Sequence, residues 1–148
     1  MLHALKYGHK PEVGTLLGRI LGEQLGAAGW QVDVVVPVPL HKARAHQRGY
    51  NQAAMIARGV AEALAVPCGE DVLRRNKFTD TQTHKTRIER WQNVHNVFEL
   101  AAPHRVKDRS VLLVDDVLTT GATLEACGHA LLRESCVVSV ASIAWAHD

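Results

Sequence analysis

Cysteine is scarce in this chain: three residues, Cys68, Cys127 and Cys136, odd in number and widely scattered. That excludes a disulfide framework, and no C-x-x-C pair is present to hold zinc. A reducing, cytoplasmic setting is expected. The nine histidines show no H-E-x-x-H or comparable ligand spacing, so most are expected at the solvated surface. No apolar run approaches the ~20 residues of a membrane span. Met1 to Lys10 holds no apolar h-region, so a secretory signal is not expected. Internal repeats and low-complexity linkers are lacking as well. The net charge of +2 is too small to indicate a nucleic-acid partner by itself. Its distribution says more. Basic residues gather at Lys42, Arg44 and Arg48, and again from Arg74 to Arg90. Two local clusters suit a compact polyanion better than a long DNA tract.

What remains is ordinary for one globular domain: 148 residues, 47% apolar and 22% charged. Such a chain buries roughly 68–70% of its unfolded surface. From Pro11 to Gly26 the apolar residues Val13, Leu16, Leu17, Ile20, Leu21 and Leu25 fall at helical spacing, with Pro11 in the first turn. Val32 to Val38 predicts a buried strand closed by Pro37 and Pro39. A helix is predicted from about Asn51 to Leu64. Short strands are predicted at Val72-Leu73 and Val97 to Leu100, with a short helix over Ile88 to Val94. The strand Val111 to Val114, a helix from Leu124 to Arg133 and a strand from Val137 to Trp145 complete the pattern. Strands alternating with helices imply an α/β fold, with a mostly parallel central sheet and helices on both faces. Ligands in such sheets bind at the carboxyl ends of the strands.

The most informative stretch runs from Val111 to Thr123. Four apolar β-formers lead into Asp115 and Asp116. Then come Val117, Leu118, Thr119, Thr120, Gly121, Ala122 and Thr123, before the helical pattern. A buried strand ending in acids, followed by small hydroxylated residues around a glycine, predicts an anion cradle at a helix N-terminus. The N–H groups of Leu118 to Thr123 would receive a phosphate. The two carboxylates would face sugar hydroxyls or a magnesium ion held by the ligand. A sugar phosphate is the natural ligand for that combination. The segment resembles the 13-residue signature of type I phosphoribosyltransferases, which bind 5-phosphoribosyl 1-pyrophosphate (PRPP).

A second segment supplies cations directly after a strand. It reads Pro37-Val38-Pro39-Leu40-His41-Lys42-Ala43-Arg44, and continues through Arg48-Gly49-Tyr50-Asn51-Gln52. Pro-Val-Pro-Leu with Arg-Gly-Tyr-Asn-Gln is similar to the ComF/GntX family of competence-related proteins with a phosphoribosyltransferase fold. Leu5-Lys6-Tyr7-Gly8 resembles that family's opening. Thr79 to Arg87 with Arg90, Asn93 and Phe98 resembles its Thr-x-x-Gln, Arg and Asn-x-x-x-x-Phe pattern. The resemblance covers nearly the whole chain. Family members usually carry a four-cysteine zinc ribbon before the Leu-Lys-Tyr segment. This chain has no such cysteines, so no zinc site is expected and 1–148 is read as a single domain.

The resemblance implies specific roles. Asp115 and Asp116 would bind the ribose hydroxyls of PRPP, directly or through Mg²⁺, as the catalytic pair. Leu118, Thr119, Thr120, Gly121, Ala122 and Thr123 would hold the 5-phosphate. Leu40, His41, Lys42, Ala43 and Arg44 occupy the position of the pyrophosphate loop. Asn76 to Arg90 matches a flexible lid, with Lys77, Lys85, Arg87 and Arg90 as its anion contacts. The activity implied is an Mg²⁺-dependent phosphoribosyltransferase with an unidentified nucleobase or amine acceptor. Purine-salvage members often have a third acid where this chain has Thr119, which argues against hypoxanthine or guanine. A base-binding hood is not recognisable beyond Tyr7 and Trp145, and either aromatic is expected to be buried. The family's association with natural transformation implies an alternative: a module bound to single-stranded DNA or the competence machinery. A homo-oligomer is the expected state.

Overall fold

The computed structural model describes residues 10–40, 46–47, 49–76 and 97–146. The helix predicted over Ile88 to Val94 falls outside them. Helix α1 spans Pro11–Ala27 and strand β1 Val34–Pro37. Helix α2 follows at Gln52–Leu64, then strands β2 at Leu73–Arg75 and β3 at Phe98–Leu100. A single 3₁₀ turn, Pro103–Arg105, leads into β4 at Ser110–Leu118. Helix α3, Ala122–Leu131, connects β4 to β5 at Val137–Trp145. No described helix is long and apolar enough to cross a membrane.

The central sheet is parallel in the order β1-β4-β5, and Cys68 adds one further parallel bridge beside Val35. Alternation sends its side chains to two apolar layers. Val35, Leu112 and Val114 pack with Ile56, Ala57 and Val60 of α2, backed by Leu21 and Leu25 of α1. Val34, Val36, Val111 and Leu113 pack with Leu124, Cys127 and Leu131 of α3 and with Phe98. Helices therefore cover both faces, as the alternating pattern requires. This is the α/β architecture that the resemblance implies.

β2 and β3 form their own antiparallel pair, Arg75 opposite Phe98, apart from the parallel sheet. Two sequence expectations need correction. β4 does not stop at Val114 but continues through both aspartates, because β5 supplies a ladder partner as far as Leu118↔Trp145. Sheet neighbours, and not the low strand propensity of aspartate, set where a central strand ends. Trp145 is no buried aromatic: it is 69% exposed at the end of β5. Tyr7 lies outside the described residues.

Candidate active site

The carboxyl ends of β1 and β4 open into one cavity of about 190 Å³. Val38, Pro39 and Leu40 line it from the β1 side. Asn51, Gln52 and Ala53 line it from the start of α2, and Asp115, Asp116 and Thr123 from the β4–α3 crossover. Arg75, at the end of β2, closes the remaining side. The loops after β1 and β4 thus converge, with Leu40 on one side and Asp115, Asp116 and Thr123 on the other. His41, Lys42, Ala43 and Arg44 lie outside the described residues, as do Lys77, Lys85, Arg87 and Arg90.

Asp115 and Asp116 are half-buried. Each carboxylate accepts the next main-chain N–H: Asp116 N to Asp115 Oδ1 and Val117 N to Asp116 Oδ1, both 2.8 Å. A carboxylate has about four acceptor sites, so these bonds orient the pair and leave capacity for a ligand. Beneath Asp115 lies Cys127. Burial, and then the Asp115 carboxylate, push its thiol far above the usual range, while Arg75 acts in the opposite direction. Cys127 is therefore a neutral thiol, fully buried in the α3-side core.

The β4–α3 loop turns tightly into the helix. Gly121 caps α3 with φ 83° and ψ −2°, a left-handed conformation natural to glycine. Among the described residues, the amides of Thr119, Thr120, Gly121 and Thr123 donate to no main-chain acceptor; Ala122 N–H meets Thr120 Oγ1 at 3.3 Å. Asp115, Val117, Leu118, Thr119, Gly121, Thr123 and Leu124 enclose a recess of about 20 Å³, room for one water-sized group. A Cβ on Gly121 would meet only Leu118 Cδ1, at 3.8 Å, so space is not what requires glycine here. The backbone angle is. Gly121→Val forces a β-branched residue to positive φ, at a cost of about 1–2 kcal/mol that the loop escapes by rearranging. Ribose 5-phosphate affinity should fall roughly 5- to 30-fold, with helix content by circular dichroism near normal. Gly121→Asn, which tolerates this φ, should lose much less. Normal binding by the valine variant, measured by calorimetry, would remove Gly121 from the cradle.

Three lining residues were not legible as site residues. Asn51 caps α2, accepting Ala53 N–H at 3.0 Å, while its Nδ2 donates to Val38 O at 3.0 Å. That pair of bonds fixes the α2 N-terminus against the end of β1. Gln52 follows in the first turn and is 3% exposed. Two helix N-termini, of α2 and α3, thus point into the cavity with their partial positive charge. Arg75 sits with its guanidinium 5.5 Å from the Phe98 ring centroid. Its neighbour Arg74 turns the other way and pairs with Glu99 at 2.7 Å. Strand alternation separates two adjacent arginines into one surface ion pair and one cation at the site.

A magnesium ion fits this donor set. Two hard carboxylates stand beside the β4–α3 loop, and no third acidic, histidine or cysteine side chain joins them among the described residues. Mg²⁺ binds in this way, through one or two carboxylates plus oxygens of a phosphorylated ligand and water.

A strand-end carboxylate pair, a glycine-capped β4–α3 loop and a doubly covered parallel sheet are the features of a phosphoribosyltransferase-type protein. The chain belongs to the phosphoribosyl transferase domain family, which matches residues 3–147. Its relatives carry the ComF/GntX character read from the sequence. It is similar to DNA utilization protein YhgH of Salmonella typhimurium, with 33% identity over 90% of this chain and 60% of that protein. It is also similar to competence protein F of Haemophilus influenzae, with 40% identity over 62% of this chain and 41% of that protein. Among solved structures, the glutamine PRPP amidotransferase of B. subtilis superimposes with a TM-score of 0.62 at 25% identity, over 91% of this chain and 26% of that one. The chain spans about 60% of the length of the YhgH relatives.

Proposed function

We propose that the cavity binds PRPP with Mg²⁺ and transfers its phosphoribosyl group to a nucleobase or amine. One observation carries the reading: the two oriented carboxylates share a cavity with Arg75 and Thr123, and Asp115 and Thr123 also line the recess of the loop before α3. The Thr119–Thr123 loop takes the 5-phosphate, and Asp115 and Asp116 hold the ribose hydroxyls. Arg75, with the Val38–Leu40 wall, takes the pyrophosphate end, where a planar guanidinium suits phosphate oxygens. Magnesium, when bound, neutralises charge on the leaving pyrophosphate. In the reaction the bond from ribose C1 to pyrophosphate oxygen breaks, its electron pair leaves with pyrophosphate, the acceptor nitrogen bonds to C1 through its lone pair, and its N–H proton passes to the departing pyrophosphate or to water. The transition state has oxocarbenium character, as in glycoside cleavage. The carboxylates stabilise that positive charge, and positioning supplies most of the remaining rate. A screen of nucleobases and amines for PRPP-dependent pyrophosphate release tests the proposal. No release with any acceptor, from a protein that binds PRPP, would reduce it to a PRPP-binding role.

The names of the relatives favour a second reading, in which the domain serves DNA uptake or use. If single-stranded DNA binds through the cations of the same site, affinity falls steeply with salt, and PRPP competes. Fluorescence anisotropy of a labelled oligonucleotide checks both. Tight binding indifferent to saturating PRPP would place the DNA site elsewhere. No binding at low salt would leave the small-molecule reading alone.

A further inference from the structure

The end of the sheet away from the carboxylate pair holds a second, larger cavity. Trp30, Gln31, Val32, Asp33, Leu64 and Ser110 line about 410 Å³ there, against about 190 Å³ at Asp115 and Asp116. Asp33 directly precedes β1 and Ser110 opens β4, whereas Asp115 lies further along β4. At ~3.3 Å per residue, Ser110 and Asp115 stand about 17 Å apart along the strand, too far for a molecule in one cavity to react in the other.

Two helix ends shape the wall. α1 closes in a Schellman turn: Gly29, at φ 84°, donates its N–H to Gly26 O at 3.0 Å, and Trp30 N–H reaches back to Leu25 O at 3.0 Å. α2 closes in the same way: Ala65, at φ 55°, donates to Glu62 O at 3.2 Å, and Val66 N–H to Ala61 O at 3.0 Å. These turns fix the main chain at Trp30 and just past Leu64. The strand starts are tied as firmly. Ser110 N–H donates to Asp33 Oδ2 at 2.7 Å, Asp33 N–H to Ser110 O at 2.8 Å, and Ser110 Oγ to Gln31 O at 3.3 Å. The cavity is therefore formed before any ligand arrives.

The chemistry of the lining is one-sided. Asp33 is its only charged residue. The bond from Ser110 uses one of about four acceptor sites on that carboxylate and leaves the rest for a ligand. The carbonyl ends of α1 and α2 add partial negative charge, and neither last turn carries a basic residue to offset it. Trp30 stays 43% exposed although its main chain is pinned, so its electron-rich ring is open to a partner. A carboxylate, an indole face and two helix C-termini attract a cation and repel an anion. Val32 and Leu64 supply apolar surface for a stem.

We propose that this cavity binds an organic cation, a guanidinium or ammonium group on a short apolar stem, with its charged head at Trp30 and Asp33. A guanidinium suits both partners, because it stacks on aromatic faces and matches a carboxylate edge.

Titration calorimetry of the whole chain with agmatine, which carries a guanidinium and an ammonium on an aliphatic stem, tests this at low ionic strength. Saturable binding of one molecule per chain is expected, unchanged by saturating PRPP. Trp30→Leu should weaken it by roughly fivefold or more, and Asp33→Asn by roughly tenfold or more. Asparagine keeps an acceptor for Ser110 N–H, so Asp33→Asn removes the charge and not the tie between the strands. Far-UV circular dichroism confirms that both variants are folded. Butylurea, similar in shape and uncharged, should bind at least about tenfold more weakly than agmatine. A blocked arginine peptide separates the sources of the cation: tighter binding than agmatine assigns it to a side chain of a partner protein, weaker binding to a free amine or guanidine. No saturable binding of either cation, butylurea binding as tightly as agmatine, displacement of agmatine by PRPP, or both variants binding as the wild type does would each overturn the proposal.

Discussion

Replacing Asp115 and Asp116 together by asparagine is expected to lower PRPP affinity by two to four orders of magnitude while leaving the fold in place. The fold should survive because asparagine matches aspartate closely in size and shape and both positions are only half-buried. Each accepts a neighbouring main-chain N–H, from Asp116 and Val117, and the carbonyl oxygen of asparagine can accept the same bond. Binding should not survive. A hydrogen bond to a charged group contributes about 1.5–3 kcal/mol, and two such groups are neutralised together. At about 1.4 kcal/mol per tenfold, two losses give the expected range, before any loss of metal binding. Neutral amides are also poor Mg²⁺ ligands beside carboxylates, so the magnesium dependence of residual binding should flatten. Titration calorimetry with PRPP, with and without Mg²⁺, reads both effects. Equal affinity in the wild type and the double variant would sink the proposed function, whatever the thermal stability of the variant.

The strands that build the sheet were legible because they are apolar on both faces. Val34–Pro37 and Val111–Val114 read as near-continuous hydrophobic runs, as buried parallel strands do. Asp115, Asp116 and the Thr-Thr-Gly-x-Thr loop were legible because their chemistry is local. Pairing was not. Whether Leu73–Arg75 joins the main sheet or pairs with Phe98–Leu100 depends on residues 23 or more positions away, and three-residue strands carry little pattern. Arg75 is hidden for the same reason. Only its register opposite Phe98 separates it from Arg74, which faces outward to Glu99. Helix α1 misled most. Its apolar residues fall at helical spacing, yet Leu16 and Ile20 are about half exposed. The buried face consists of Gly14, Gly18 and Gly22, four residues apart, because the neighbouring helix comes too close for side chains.

That closeness sets the largest stability effect expected in the molecule. A Cβ on Gly18 would stand 2.0 Å from the Ile56 carbonyl oxygen and 2.8 Å from its carbon. On α2, a Cβ on Gly59 would stand 2.1 Å from Thr15 O. These obstacles are backbone atoms, which cannot rotate aside, so Gly18→Ala must push α1 and α2 apart. Separation opens gaps along the whole contact, where Ile56, Ala57 and Val60 also meet the sheet residues Val35, Leu112 and Val114. Overpacking typically costs 1–3 kcal/mol, and a clash between two main chains belongs at or above the top of that range, about 3–5 kcal/mol. For a domain of this size each kcal/mol moves the melting temperature by about 2–4 °C, so a fall of roughly 10 °C is expected. Gly128→Ala supplies the contrast. It is also a helical glycine, in α3, but a Cβ there has no neighbour within 4 Å. Removing a glycine's backbone freedom in a helix stabilises by about 0.5–1 kcal/mol, so this variant should melt slightly above the wild type. The displacement should also reach the site, because α2 is tied to β1 through Asn51 and Val38. PRPP affinity in Gly18→Ala should fall even below its melting transition, whereas Gly128→Ala should bind as the wild type does. Scanning calorimetry of the two alanine variants decides the matter: equal melting temperatures would show that α1 and α2 can separate without loss, and that the glycine face does not hold the helices together.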